Sequence, residues 1–286
     1  VRLDEDWREK LQRLEDLRAK SNRVGEEIAE AKKNGEDVED KIEEMGEVKE
    51  EISELEEEVE RLKERRDEMR YEIGNILHES VPQGEDEEDN EQLRTWEPEE
   101  GKASDARLAA DVLEENDLIE TEKAAEQAGE RAYYLKNELF QLNQALIQFS
   151  MDLLKEKGYT PMQTTYMLKH EPMEAAAELE DFEEQLYKIE DQDTYLIATS
   201  EQTLGTFHMD EILQPEELPK KYAGFSTNFR REAGKHGKQT RGIWRIHQFE
   251  KVEQYIFCEP EDSWGFHEEL IENSEEVMKE LGLPYR

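Results

Sequence analysis

The residues with the richest chemistry lie between positions 223 and 254: Ala-Gly-Phe-Ser-Thr-Asn-Phe-Arg-Arg-Glu, then a glycine-punctuated loop, then Arg-Ile-His-Gln-Phe-Glu-Lys-Val-Glu-Gln. The pattern predicts strand, loop, strand. Strand side chains alternate between faces, so Arg230 and Glu232 are expected on one face of the first strand, and Arg245, Phe249 and Glu253 on one face of the second. Two guanidiniums, two carboxylates and an aromatic ring would then line one pocket. A planar guanidinium suits phosphate and carboxylate oxygens. Phe249 offers a surface on which a base can stack. Glu253 can accept hydrogen bonds from an ammonium or hydroxyl. Such a pocket would take a nucleotide together with an amino acid. A salt-bridge ladder on a solvated sheet face would use the same alternation. The loop favours the pocket: Lys235, His236, Lys238 and Arg241 keep a positive patch in a very acidic chain, which implies an anionic partner.

These residues need a sheet and packed helices to position them. Strands are predicted over 159–167, 194–198, 222–231 and 243–258, with another within 129–136. Short helices are predicted over 106–113 and 121–128. A long amphipathic helix over 138–156 carries Leu139, Leu142, Leu146, Phe149 and Leu153 on one face, and a last helix over 263–281 has Ser263 as its N-cap. Hairpin strands mixed with helices predict an α+β domain with an antiparallel sheet flanked by helices.

The first eighty residues have a different rhythm. Leu3, Trp7, Leu14, Leu17, Val24, Ile28 and Ala31 follow a 4-3 spacing, with Lys10 and Ser21 as polar exceptions. Met45, Val48, Ile52, Leu55, Val59, Leu62, Met69, Ile73 and Ile76 do the same, with Arg66 as the exception. Such a repeat makes a narrow apolar seam. Asn34-Gly35 between the two series is a turn signal. Two helices joined by a short turn make an antiparallel coiled-coil hairpin about 45 Å long. Periodicity alone fits a dimerising scaffold as well as a binding arm. The expected division is therefore a helical arm over 1–80, an acidic linker over 81–101 and a second domain over 102–286.

The chain has 286 residues and a formal net charge of −39, with 40% of residues charged. The acids alternate with regular apolar positions, so the charge does not signal disorder. It suits a salt-loving cytoplasm, because at molar salt the Debye length falls to about 3 Å. It also argues against a general nucleic-acid binder, which would be basic. Cys258 is the single cysteine, which excludes an intrachain disulfide and fits a reducing compartment. Neither a signal peptide nor a membrane-length apolar run is evident. The start lacks Met and falls inside a helical pattern, so trimming is expected there. His208, His236, His247 and His267 are too scattered for a metal site and are expected at the surface or in packing. Met162, Met167 and Met173 are expected in the core.

Phe229-Arg230-x-Glu232, Thr240-Arg241-Gly242 and the run from Arg245 to Glu253 closely resemble the second signature motif of seryl-tRNA synthetases. Phe-Arg-x-Glu alone is common to the wider class II group; the longer string is specific. The run from Ile197 to Gln202 (Ile-Ala-Thr-Ser-Glu-Gln) resembles the family's Thr-x-Glu serine-recognition loop. Gly158-Tyr-Thr-Pro, Glu261-Asp262-Ser263 and the final Leu-Gly-Leu-Pro-Tyr-Arg286 also resemble family segments, and the N-terminal hairpin resembles the family's tRNA-binding arm.

The resemblance implies a class II synthetase domain that activates serine with ATP and Mg²⁺ and transfers it to tRNA-Ser, whose long variable region the hairpin would grip. By resemblance, Thr199, Glu201 and Glu253 hold the serine ammonium and hydroxyl. Arg230 bridges the serine carboxylate and the α-phosphate. Arg245 and Glu232 hold ATP, and Phe249 packs on adenine. Arg230 and Arg245 are then the catalytic cations, and Lys235, His236, Lys238 and Arg241 reach the ATP phosphates and the tRNA acceptor end. A cytoplasmic location is expected, and a homodimer for the full-length protein.

Two departures from the family pattern stand out. Thr164-Thr165 replaces the usual Pro-Pro of the first motif, which bears on dimer geometry. The chain also ends before the expected metal-binding acid and the third motif, so no metal ligand is expected within it, and the polypeptide alone is expected to activate serine poorly. Two rivals are a ligase that loads a carrier protein and a non-catalytic synthetase-like binding protein. The long arm counts against the first, and the intact Arg230, Glu232, Arg245, Phe249 and Glu253 against the second.

Overall fold

The 4-3 apolar spacing folds into two helices of equal length, α1 (Arg2–Asn34) and α2 (Glu39–Tyr71). Gly35, at φ +76°, ends α1 and donates its N–H to the Lys32 carbonyl at 3.2 Å. Only glycine enters this left-handed conformation without steric cost. The seam buries Leu14, Val24 and Ala31 against Val48, Leu55 and Val59, with Trp7, Leu11, Leu17 and Ile52 packed alongside. Ion pairs flank it: Lys10–Glu58 at 3.0 Å, and Lys20–Glu44 and Lys41–Glu27 at 2.7 Å each. Partners in α2 descend as those in α1 ascend, which shows the antiparallel register. Exposed pairs of this kind contribute at most about 1 kcal/mol each, so burial holds the hairpin and the charges align it.

The polar exceptions all find partners. Lys10 reaches Glu58, Ser21 donates to the Met45 sulfur at 3.4 Å, and the Arg66 guanidinium lies 4.1 Å from the Trp7 ring centroid while pairing with Asp67 at 2.7 Å. The seam stops earlier than its spacing predicted. α2 ends at Tyr71, leaving Ile73 73% and Ile76 92% exposed. Arg66 already lies within 3.7 Å of Asp4, beside the start of α1, so no α1 seam residue stands opposite those two isoleucines.

The computed structural model describes every residue except 36, 75, 85, 100, 102–105, 177–182 and 233–242. It divides into two compact units, Val1–Asp89 and Asn90–Arg286. The second unit contains α3 (Ala109–Glu115), β1 (Ile119–Glu120), α4 (Glu122–Ala128), β2 (Tyr134–Leu135), α5 (Asn137–Glu156), β3 (Thr160–Gln163), β4 (Met167–Lys169), α6 (His170–Ala176), β5 (Tyr187–Lys188), β6 (Thr194–Leu196), α7 (Ser200–Gly205), β7 (Lys220–Phe229), β8 (Gln248–Phe257) and α8 (Ser263–Glu280).

The fold is α+β. The principal sheet has the order β3-β7-β8, and a smaller antiparallel sheet has the order β4-β6-β5. β7 and β8 pair antiparallel from Lys220↔Phe257 to Phe229↔Gln248. β3 runs parallel to β7, so the principal sheet is mixed rather than purely antiparallel. The long connection between β3 and β7 carries the whole small sheet, and a crossover of that length permits parallel pairing.

One face of the principal sheet packs on α5 and α8. Ala223, Leu154 and Tyr159 are buried there with Met151, Leu153, Val252, Ile256 and Leu270. Buried Asn273 donates to Gln254 at 2.7 Å and to the Tyr159 hydroxyl at 3.3 Å. Only part of the α5 stripe faces this core, since Leu142 and Leu146 are exposed. Of the three methionines expected inside, Met173 is fully buried and Met167 is not. Ser263 is the first residue of α8 rather than its cap; its hydroxyl donates to the Pro260 carbonyl at 2.8 Å.

The other face of β7 meets α7 through Gly224. A Cβ there would lie 2.8 Å from Leu204 Cδ1 and 3.3 Å from Thr164 Cγ2. Gly224→Ala is therefore expected to destabilise the second unit by about 1–3 kcal/mol through overpacking. Gly46→Ala, in the α2 interior with open space around it, is expected to stabilise the arm by about 0.5–1 kcal/mol. Urea unfolding of the two variants checks this, and equal midpoints would contradict the packing around Gly224.

Candidate active site

The β7–β8 register places Gly224 opposite Glu253, Ser226 opposite Lys251 and Asn228 opposite Phe249. Directly opposed residues of an antiparallel pair share a face, so Phe249, Lys251 and Glu253 stand together on the side away from α5 and α8. Period-two alternation placed Phe249 and Glu253 correctly. It did not place the charged residues at the hairpin's end. Arg230 and Glu232 lie beyond the last residue of β7, and Arg245 precedes β8. Glu232 has φ +51°, so the chain turns there instead of continuing its pleat. What joins these groups is direct contact. Arg245 Nη1 pairs with Glu232 Oε2 at 2.5 Å, and the Arg230 guanidinium lies 5.1 Å from the Phe249 ring centroid.

The turn after β6 supplies the other half of the site. Thr199 is the N-cap of α7, and its Oγ1 accepts from the Glu201 N–H at 3.3 Å. The same hydroxyl donates to Glu253 Oε2 at 3.0 Å and accepts from Lys251 Nζ at 3.0 Å. Lys251 also pairs directly with Glu253 Oε2. One donor and two acceptor positions exhaust a hydroxyl, so Thr199 is fully used. Glu201 joins this cluster only through its backbone N–H; the residue itself is exposed.

The two halves are stitched together. The Phe229 N–H donates to the Ile197 carbonyl at 2.8 Å, Arg230 Nε donates to the Ala198 carbonyl at 3.2 Å, and the Ala198 N–H donates to buried Gln202 Oε1 at 2.9 Å. Beneath them Ser226 Oγ donates to Asn228 Oδ1 at 2.7 Å, with both residues fully buried. The cluster thus presents three cations (Arg230, Arg245, Lys251), two carboxylates and one aromatic face within a rigid frame. Burial and then the charge of Glu250 push the Tyr133 phenol up to about 12, so it stays a neutral hydroxyl at physiological pH.

Sequence reasoning missed Lys251 and set His247 aside as surface or packing, although both share the parity of Phe249 and Glu253. Lys235, His236, Lys238 and Arg241 lie outside the described residues. Among the described residues no group of three or more His, Cys, Asp or Glu is placed to hold a metal ion, and no helix is long and apolar enough to cross a membrane.

Comparison with known proteins fits both units. Residues 1–77 match the seryl-tRNA synthetase N-terminal domain, and residues 186–286 match the tRNA synthetase class II core domain of the G, H, P, S and T group. A serine–tRNA ligase of Methanosphaera stadtmanae is 49% identical over 221 residues, covering 77% of this chain and 52% of that protein. One from Archaeoglobus fulgidus is 43% identical over 244 residues, covering 77% of this chain and 53% of its own length. The chain spans about half the length of the curated relatives it matches. Among solved structures, seryl-tRNA synthetase from Pyrococcus horikoshii, complexed with ATP, superposes with TM-score 0.83 at 40% identity, covering 100% of this chain and 68% of that one. The cytoplasmic serine–tRNA ligase of Naegleria fowleri, in complex with AMP, gives TM-score 0.80 at 34% identity, covering 100% and 66%. With its N-terminal arm and class II core both matched, and with 40% identity to a seryl-tRNA synthetase over its whole length, the chain belongs to the seryl-tRNA synthetase family.

Proposed function

We propose that this chain carries the tRNA-gripping arm (1–80), an acidic connection (81–101) and the serine- and ATP-binding part of the catalytic domain (102–286) of a cytoplasmic serine–tRNA ligase. The observation that carries this reading is the adjacency of the Arg230–Phe249 and Arg245–Glu232 pairs, on the β7–β8 hairpin, with the cluster that Lys251 and Glu253 of that hairpin form with Thr199. A carboxylate oxygen of serine attacks the α-phosphorus of ATP, the bond to pyrophosphate breaks, and seryl-adenylate forms. A terminal ribose hydroxyl of tRNA then attacks the seryl carbonyl and AMP leaves.

The first step needs no general base, because the nucleophile is already ionised. Positioning and charge neutralisation carry it. Arg230 bridges the serine carboxylate and the α-phosphate, Arg245 and Glu232 hold the nucleotide, and Phe249 packs on adenine. Glu253 and Thr199 take the serine ammonium and hydroxyl, and the exposed Glu201 carboxylate closes over them. Because Thr199 is saturated, an incoming ammonium must take over contacts that Lys251 now makes. Alanine in this site would lack the hydroxyl hydrogen bond that serine makes to the Thr199–Glu253 group, and a polar pocket rejects an analogue lacking one hydroxyl when that contact goes unmade. Mg²⁺ bound with the nucleotide supplies further neutralisation of phosphate charge. Lys235, His236, Lys238 and Arg241 serve the phosphates and the tRNA end.

Arg230→Ala is expected to weaken ATP binding by about tenfold or more, since charge-assisted hydrogen bonds to an ionised group are worth about 1.5–3 kcal/mol. Calorimetry on both proteins, in dilute buffer and in molar KCl to suit a net charge of −39, measures it. Equal affinities would remove Arg230 from the site.

The arm is proposed to bind tRNA, with exposed Lys32 and Lys33 beside its tip turn, and the uncovered Phe140, Leu142 and Leu146 on α5 are proposed to pair two copies. Sedimentation velocity reads both. The free chain is expected at dimer mass, and a tRNA with a long variable region is expected to co-sediment with it but not with a variant lacking residues 1–80. Monomer mass would contradict the pairing, and undiminished tRNA binding without the arm would contradict the arm's role.

A further inference from the structure

We propose that His247 is a positioning residue that sets the Arg230–Glu232 segment through an exchanged ladder hydrogen bond, with Arg131 as its counterpart. The last regular β7–β8 pair is Phe229↔Gln248. The next pair would be Arg230 with His247, and half of it forms: the Arg230 N–H donates to the His247 carbonyl at 2.9 Å. The reciprocal bond does not. The His247 N–H points instead to the Arg131 carbonyl at 3.4 Å. That leaves the Arg230 carbonyl without its ladder donor, and the imidazole of the same histidine fills the gap, with Nδ1 at 2.9 Å from Arg230 O.

A carbonyl oxygen can only accept, so Nδ1 carries a proton. The Tyr187 hydroxyl oxygen, 3.0 Å from Nδ1, then lies on the accepting side of that N–H, and its ring meets the imidazole edge-on with centroids 6.1 Å apart. The exchange has a geometric consequence. It admits the 131 segment to the end of the ladder, where Arg131 Nη1 donates to the Glu232 carbonyl at 2.9 Å. The Arg231 N–H is meanwhile tied to the Gln185 carbonyl at 2.9 Å. Arg230, Arg231 and Glu232 are thus held one after another by three separate segments, and Glu232 is held in its left-handed conformation. Neither His247 nor Arg131 touches reacting atoms; they act through Arg230 and Glu232.

The ATP part of the test rests on the site reading above, and the exchange part does not. His247→Asn keeps an N–H donor at the Nδ1 position, and His247→Leu removes it. Amide hydrogen exchange at Arg230 and Arg231, ATP affinity by calorimetry, and thermal unfolding are measured on the full chain. For His247→Leu we expect exchange faster by about tenfold and ATP binding weaker by about tenfold, with a melting temperature within about 4 °C of wild type. For His247→Asn we expect both to return to within about threefold of wild type. A leucine variant equal to wild type in both readouts, or an asparagine variant as impaired as leucine, overturns the proposal. If wild type itself does not bind ATP, the ATP-site reading fails, and the exchange comparison alone still decides whether the clamp exists.

Discussion

The site depends on one register, that of the β7–β8 hairpin. With Gly224 opposite Glu253 and Asn228 opposite Phe249, residues 249, 251 and 253 share a face, and Thr199 meets Glu253 across it. A slip of one residue would turn that whole set into the apolar layer under α5 and α8. The two faces make incompatible demands, which pins the register. Ala223, Val252 and Ile256 belong to the buried side, whereas Gly224 must stay small to admit Leu204 and Thr164. The core and the site are therefore fixed by the same ten pairs.

Charge is managed locally in a chain of net −39. Along the arm, lysines and arginines of each helix meet glutamates of the other, and these exposed pairs set alignment more than stability. In the second unit the cations gather at the hairpin's end, where Arg230, Arg245 and Lys251 each contact a carboxylate, an aromatic ring or a hydroxyl. Guanidiniums held this way are ready for an anionic substrate without first paying for their own ordering.

Much of this was legible in the residues. The 4-3 spacing and Asn34-Gly35 are local signals, and they yielded the hairpin to within a few residues. The error at Ile73 and Ile76 arose because periodicity cannot see whether a partner helix stands opposite. Phe249 and Glu253 followed from alternation. Arg230, Glu232 and Arg245 were expected together by strand parity, and that reason fails: the pleat ends at Phe229, and tertiary contacts bring Arg245 to Glu232 and Arg230 to Phe249. The parallel partner β3 could not be read from sequence, because strand pairing across a long crossover leaves no local trace. Lys251 and His247 had the right parity all along. Their contacts emerge only when Thr199, from a distant turn, and Arg131, from another, arrive beside them.

The most direct test of the central claim, that the Thr199–Lys251–Glu253 face reads the amino acid while the Arg230 end reads the nucleotide, is calorimetric titration of the chain with non-hydrolysable seryl- and alanyl-adenylate analogues, repeated on Glu253→Gln. The account predicts that the seryl analogue binds wild type more tightly by at least about tenfold and that the preference collapses in the variant. Equal affinity of wild type for the two analogues, or a serine preference that survives the loss of the Glu253 carboxylate, would contradict it.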